Sequence, residues 1–205
     1  QKNIKKLVCL QIIPSVGIGG VETGVRNIAE YLNKKKVRNF ILCESSKKNL
    51  KSDNLDIIYL KNLSFKNGDA EKIPFADNSF DVILNVESSH CYGNMANFIA
   101  EVYRVLKPNG KFSWADLRAS EAVKETEDIF NKSKLKIIKS ETITDEVIKA
   151  LDSIHDKKIE MINSYVPKII NNAFKDFAGV KDSKIYNSFK NGNAVYLSKV
   201  LQKVS

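Results

Sequence analysis

Cysteine, proline, histidine and tryptophan are all scarce in this chain: three, four, two and one among 205 residues. Cys9, Cys43 and Cys91 are widely spaced and odd in number, and no C-x-x-C pair exists. That excludes a zinc-ribbon or disulfide framework and leaves no metal expected. Cys9 and Cys43 sit in apolar strand-like runs and read as core thiols of a reducing, cytoplasmic protein. No apolar run reaches the roughly 18 residues of a membrane helix. Lys2, Lys5 and Lys6 precede the stretch Leu7 to Val21, as in a signal peptide, but Gln11 and Pro14 interrupt it and no small-residue cleavage site follows. The chain begins with Gln, as a trimmed or partial product would.

The net charge of +9 is present, but not where nucleic acid would want it. Residues 51–118 are near balance, with 8 basic and 9 acidic side chains. The excess is lysine on solvated faces; Arg26, Arg38, Arg104 and Arg118 are the only arginines, and no aromatic-basic interleaving occurs. A nucleic-acid partner is therefore not expected, whereas peripheral contact with an anionic membrane is compatible with those lysines. The length suits one α/β domain with a real core.

The order of elements alternates strand and helix, which implies a mostly parallel sheet. Residues 6–13 and 37–43 read as strands around a helix from Val21 to Leu32. Residues 45–54 read as a polar loop, and 56–60 and 62–66 as short strand-like pieces of which one joins the sheet. Residues 80–86 form a central strand, Asn94 to Leu106 a helix stopped by Pro108-Asn109-Gly110, and Lys111 to Asp116 the next strand. Ser120 to Ser133 read as a polar helix and 134–143 as a strand. Asp145 to Phe177 read as largely helical, with Ile162, Val166, Ile169, Ala173 and Phe177 along one face and Pro167 as a kink; Asn193 to Leu201 is the last strand.

Open parallel sheets bind ligands at the carboxyl ends of their strands, near the point where strand order reverses. Three ends carry suggestive residues: Asp69-Ala70, then Asn85-Val86-Glu87-Ser88-Ser89-His90, then Asp116-Leu117-Arg118. Asp69 after Gly68 is either a ligand contact or a turn former. His90 has the imidazole suited to a general base near neutral pH, or is a packing loop residue. Asp116 and Arg118 either face a pocket or form a local salt bridge. His155 lies in a polar helical stretch and reads as a surface residue.

The run GDAEKIPFADNSFDVILNVESSHCY, with FIAEVYRVLKPNGKFSWADLR and FAGVKDSKIYNSFKNGNAVYLSKV, resembles class I S-adenosylmethionine-dependent methyltransferases, type 11, of the phthiotriolone methyltransferase group. The resemblance covers about residues 68–201. It implies a Rossmann-like α/β domain of strand order 3-2-1-4-5-7-6 with an antiparallel last strand. It also implies a methyltransferase core over 68–118 and a helical cover of the acceptor site over 145–185. S-adenosylmethionine would be the cofactor and a small, lipid-like hydroxylated molecule the acceptor. Asp69 and Ala70 would meet the adenine, Asn85 and Glu87 further parts of the cofactor, Asp116 and Arg118 the acceptor, and His90 would be the base.

Residues 1–45 instead resemble the opening of a family 4 GT-B glycosyltransferase, on QIIPSVGIGGVE and the helix after it. The usual acid and G-x-G-x-G of a methyltransferase are replaced by Pro14-Ser15-Val16-Gly17-Ile18-Gly19-Gly20. A glycine loop before a helix still favours an anion, so Gly17 and Gly19 suit the methionyl carboxylate and Glu44 suits the ribose hydroxyls. The family boundary falls between Ser45 and Gly68. The alternatives to an active methyltransferase are an inactive fusion or truncation remnant and a glycosyltransferase fragment working with a partner chain. Oligomeric state is open.

Overall fold

The structure, a computed structural model, describes residues 7–13, 20–43 and 63–204. Gly17, Gly19 and Glu44 lie outside them, as do the polar loop 45–54 and the strand-like piece 56–60. Among the described residues, seven strands form one sheet of order β3-β2-β1-β4-β5-β7-β6. They are β1 (Val8–Ile13), β2 (Arg38–Cys43), β3 (Leu63–Asn67), β4 (Phe80–Val86), β5 (Leu106–Ala119), β6 (Leu135–Thr142) and β7 (Ala194–Lys203). β1 pairs in parallel with β2 and β4, β2 with β3, and β4 with β5; the last strands run antiparallel. The fold is the mostly parallel α/β sheet that the alternating order implied, in the Rossmann-like arrangement that the resemblance implied.

The helices are α1 (Gly20–Lys34), α2 (Met95–Val105), α3 (Val123–Lys132), α4 (Thr144–Ser153), α5 (His155–Tyr165), α6 (Asn171–Ala178) and α7 (Lys184–Lys190). Two compact units share the chain. The first comprises residues 1–116, 125–140 and 199–205, and the second 117–124 and 141–198.

In the first unit β1 is buried from Cys9 to Ile13, as an apolar run inside a parallel sheet must be. Burial pushes the Cys9 thiol up to about 12, so it stays a neutral core group. α1 turns Val25 and Ala29 inward. α2 starts where Asn94 accepts the Asn97 amide and buries Phe98, Ile99, Val102 and Val105. It ends at Val105, because Leu106 is already extended, at ψ 138°, and pairs with Phe80.

β5 begins at once, five residues before the expected Lys111, because Leu106 pairs with Phe80. The chain then bulges through Lys107 to Gly110, and Lys111 pairs with Val82. Asn109 takes φ 64° in this bulge. Gly110 is required by space, since a Cβ there would lie 2.8 Å from the Lys107 carbonyl oxygen. At the far end of β7, Lys203 Nζ donates to the carbonyls of Tyr103 and Leu106, closing the C-terminus of α2. The buried Lys199 donates to Glu127 at 2.8 Å and Ser140 at 2.6 Å.

In the second unit Gly179, at φ 61°, ends α6, and Ser183 caps α7 by accepting the Tyr186 amide. Tyr186 donates to Asp152 at 2.8 Å, tying α7 to α4. The expected continuous apolar face from Ile162 onward is not formed. Ile162 is buried and Val166 half-buried, but Ile169 is 94% exposed and Ala173 is exposed. Pro167, which has no amide hydrogen, ends α5 and restarts the chain as a short 3-10 turn at Lys168–Ile170, so the helical phase is lost.

Candidate active site

Strand order reverses between β1 and β4, and the carboxyl end of β4 therefore opens the crevice where such sheets hold ligands. Asn85 stands at that point. Its Nδ2 donates to the Ile12 carbonyl of β1 at 3.1 Å and to the Tyr92 hydroxyl at 2.9 Å. The residue is fully buried, and its Oδ1 has no hydrogen-bond partner among the described residues. A buried acceptor left unmatched is costly, and it marks a place for a donor from a ligand.

Glu87 follows in the left-handed conformation, at φ 47°, with its amide donating to the Ala115 carbonyl of β5. A non-glycine residue there stores strain, and the turn re-aims the chain away from the strand. Ser88 and Ser89 are buried beyond it. The Tyr92 hydroxyl lies 2.6 Å from Ser88 Oγ, and burial pushes the phenol up to about 12, so it remains protonated.

His90 is aimed by Asp116 of β5, a strand that runs on to Ala119 rather than ending at Asp116 as the sequence suggested. His90 Nδ1 lies 2.7 Å from Asp116 Oδ1, and the His90 amide donates to Oδ2 at 2.9 Å. Ser89 Oγ donates to the same Oδ2 at 2.6 Å and accepts the Trp114 indole hydrogen at 2.8 Å. Asp116 is wholly buried, whereas the His90 side chain is 34% exposed. A carboxylate at Nδ1 sets the tautomer with the proton on Nδ1 and the lone pair on Nε2. Asp116, read from the sequence as a substrate contact, thus stands behind the imidazole with both oxygens engaged by protein donors.

Asp69 and Ala70 lie at the end of β3. Asp69 is exposed, Ala70 half-buried, and Asp69 Oδ1 accepts the Glu71 amide at 2.8 Å, so the turn-forming role is realised. Glu71 accepts the amides of Gly93 and Asn94 at 2.7 and 3.0 Å, which joins this turn to the start of α2. The segment Ile73 to Asp77 is clamped by Glu101 and Arg104 of α2. Glu101 accepts the Ile73 amide, and Arg104 donates to the carbonyls of Ile73 and Phe75 and to Asp77, all at 2.8 Å. Hydrogen bonds from Arg104 hold the Glu101 carboxyl below its ordinary range and raise the guanidinium in turn. Glu71 and the clamp escaped the sequence reading, and Ser89 and Tyr92 were read only as part of the run that follows Asn85; for the clamp the i,i+3 spacing of Glu101 and Arg104 was a visible signal. Arg118 belongs to the second unit, buried, with Nη1 donating to the Leu117 carbonyl. Among the described residues no group of side chains could hold a metal.

An open sheet of this order with its reversal at β1 and β4 is the class of fold used by methyl-transferring enzymes. Residues 20–114 match the family model of a methyltransferase domain, and this stretch belongs to the class I S-adenosylmethionine-dependent methyltransferases. The chain is 37% identical over 137 residues to a phthiotriol/phenolphthiotriol dimycocerosates methyltransferase of Mycobacterium leprae, covering 67% of this chain and 51% of that one. It is 34% identical over 108 residues to a fatty-acid O-methyltransferase of Mycolicibacterium smegmatis, covering 53% and 39%. The chain spans about half the length of the curated relatives it matches. Among solved structures, a Haemonchus contortus phosphoethanolamine N-methyltransferase 2 aligns with a TM-score of 0.73 at 16% identity, over 98% of this chain and 49% of that one. The glycosyltransferase resemblance of residues 1–45 is not shown: Gly20 to Cys43 fall inside the methyltransferase match, and β1 and β2 complete the same sheet as β4.

Proposed function

We propose that this chain moves a methyl group from S-adenosylmethionine to a hydroxyl of an apolar, lipid-like acceptor, with His90 as general base. The observation that carries the reading is the pair of Asp116, within β5, and His90, in the turn just after β4, together with the unmatched Asn85 Oδ1 at the end of β4. The chemistry of the donor set suits the cofactor: Asn85 Oδ1 and the exposed Asp69 offer acceptors to its amine and hydroxyl donors. Ala70 would pack on the adenine and Glu87 would take a further polar contact. Gly17, Gly19 and Glu44 keep their proposed places at the methionyl carboxylate and ribose. The bound cofactor supplies a methyl made electrophilic by its sulfonium.

The acceptor hydroxyl is a weak nucleophile until its proton leaves. His90 Nε2 would take that proton as the acceptor oxygen gains the methyl that the cofactor would supply, the cofactor leaving as its demethylated thioether. Asp116 holds the ring in orientation and stabilises the imidazolium, while Ser89 and Trp114 fix the carboxylate. Asp116 is therefore a positioning residue, and Arg118 stays the acceptor-contact candidate. The lipid acceptors in the names of the mycobacterial relatives support the acceptor class, and peripheral membrane contact belongs to the same reading, because such acceptors reside in bilayers.

The test is methyl transfer from labelled S-adenosylmethionine to a long-chain secondary alcohol. His90→Gln should lower the rate about 10²- to 10⁴-fold without changing cofactor affinity. A His90→Gln enzyme as fast as the original would remove the base from this reading.

A further inference from the structure

Six of the exposed large apolar side chains fall in one short stretch of the second unit: Ile154, Met161, Tyr165, Ile169, Ile170 and Phe174. Tyr165 is 82% and Ile169 94% exposed, values far above a scattered surface leucine or isoleucine. They sit on elements packed together. α5 lies against α6, α6 lies against the Lys168–Ile170 turn, and Asn171 Nδ2 donates to Asn163 Oδ1 at 3.2 Å between them. The break at Pro167 produces the arrangement. With the Ile170 amide closing on the Pro167 carbonyl, Ile169 and Ile170 cannot continue the buried row begun by Ile162.

Charge is mixed over Ile154 to Asp176, with Lys157, Lys158, Lys168 and Lys175 against Asp156, Glu160 and Asp176, but the middle of the stretch is basic. From Met161 to Lys175 there is no acidic side chain, and Lys168 and Lys175 are the two charged residues. Tyrosine and phenylalanine beside lysine are the side chains that settle at a lipid–water boundary, the rings in the headgroup layer and the ammonium groups at the phosphates. No helix among the described residues is long and apolar enough to cross a membrane, so the contact is a surface one.

We propose that the α5–α6 face of the second unit binds the surface of an anionic lipid bilayer, with Tyr165, Ile169, Ile170 and Phe174 entering the interface and Lys168 and Lys175 meeting lipid phosphates. This gives the membrane contact a place on the chain. It rests on the surface residues and needs no methyl transfer, so the two readings fail separately.

The experiment is co-sedimentation of the full chain with phosphatidylcholine vesicles with and without about one-third phosphatidylglycerol. The chain should pellet with the anionic vesicles and much less with the neutral ones. Ile169→Glu combined with Phe174→Glu should lower the partition coefficient at least about tenfold. Lys168→Glu should lower it about fivefold at low salt and little at high salt. The conservative Ile169→Trp should pellet like the original, and its added indole emission should shift to the blue on anionic vesicles. Failure of the original chain to pellet, undiminished binding by the double variant, or an unshifted indole would overturn the proposal. So would a dimer in solution that the double variant converts to monomer, which would assign the face to a second copy.

Discussion

His90 and Asp116 meet because β4 ends at Val86, opposite Ala115, while β5 runs on to Ala119, so Asp116 lies beside the turn that carries His90. A sequence shows two polar residues 26 positions apart; only the register brings them within 2.7 Å. His90 could be singled out as one of two histidines at a strand end. The orienting role of Asp116 could not, because a buried carboxylate and a pocket carboxylate look alike in one dimension. Asp116→Asn should leave the fold intact but weaken the orientation and imidazolium stabilisation of His90. The expected outcome is a fall in kcat of about ten- to a thousand-fold with the acceptor KM little changed, and an altered pH–rate profile, read by steady-state kinetics across pH. Glu87 tests the strain at the neighbouring turn. Glu87→Gly relieves a left-handed non-glycine residue but frees the unfolded chain by a similar amount, so stability in urea melts should change by less than about 1 kcal/mol.

At the scale of elements, the run from Gly68 to Asp81 is legible as a motif but not as a mechanism. The structure supplies the mechanism: α2 reaches back through Glu101 and Arg104 to hold the backbone of Ile73 to Asp77, while Phe75 packs edge-on against Phe40 and Phe80. Arg104→Ala leaves two carbonyls and the Glu101 carboxylate without their donor, and should cost about 1–3 kcal/mol in thermal or urea unfolding. The same clamp sets an acid limit. Glu101 titrates lower in the folded chain than its ordinary 4.5, so the unfolded chain takes up the proton first. Its contribution is complete above about pH 4.5 and drains as pH falls through the folded value. Glu101→Gln should flatten that part of the stability-versus-pH curve. Gly68 is legible in retrospect through packing. A Cβ there would lie 2.6 Å from Pro74 Cγ and 3.0 Å from Leu42 Cδ1, so Gly68→Ala should destabilise by about 1–3 kcal/mol.

At the scale of the molecule, the alternation of strands and helices foretold a parallel sheet, and the resemblance foretold its order. What stayed hidden depends on geometry that local pattern does not carry. The helical period ran on paper from Ile162 to Phe177, yet a missing amide hydrogen at Pro167 reset it and left Ile169 in solvent. The β5 bulge put the strand's first pairing at Leu106 rather than Lys111. Residues 1–45, different in their motif, supply β1 and β2, and β1 is a central strand paired on both sides. A sheet built from both parts of the sequence is the central structural claim, and a working cofactor crevice at its β1–β4 junction is the central functional one. Calorimetric titration of the chain with S-adenosylhomocysteine tests both at once. The account predicts micromolar binding that weakens at least about tenfold in Asn85→Ala and in Asp69→Ala and persists in His90→Gln. A folded, monodisperse sample that takes up no S-adenosylhomocysteine would contradict it, and would make the chain a remnant that keeps the sheet without the site.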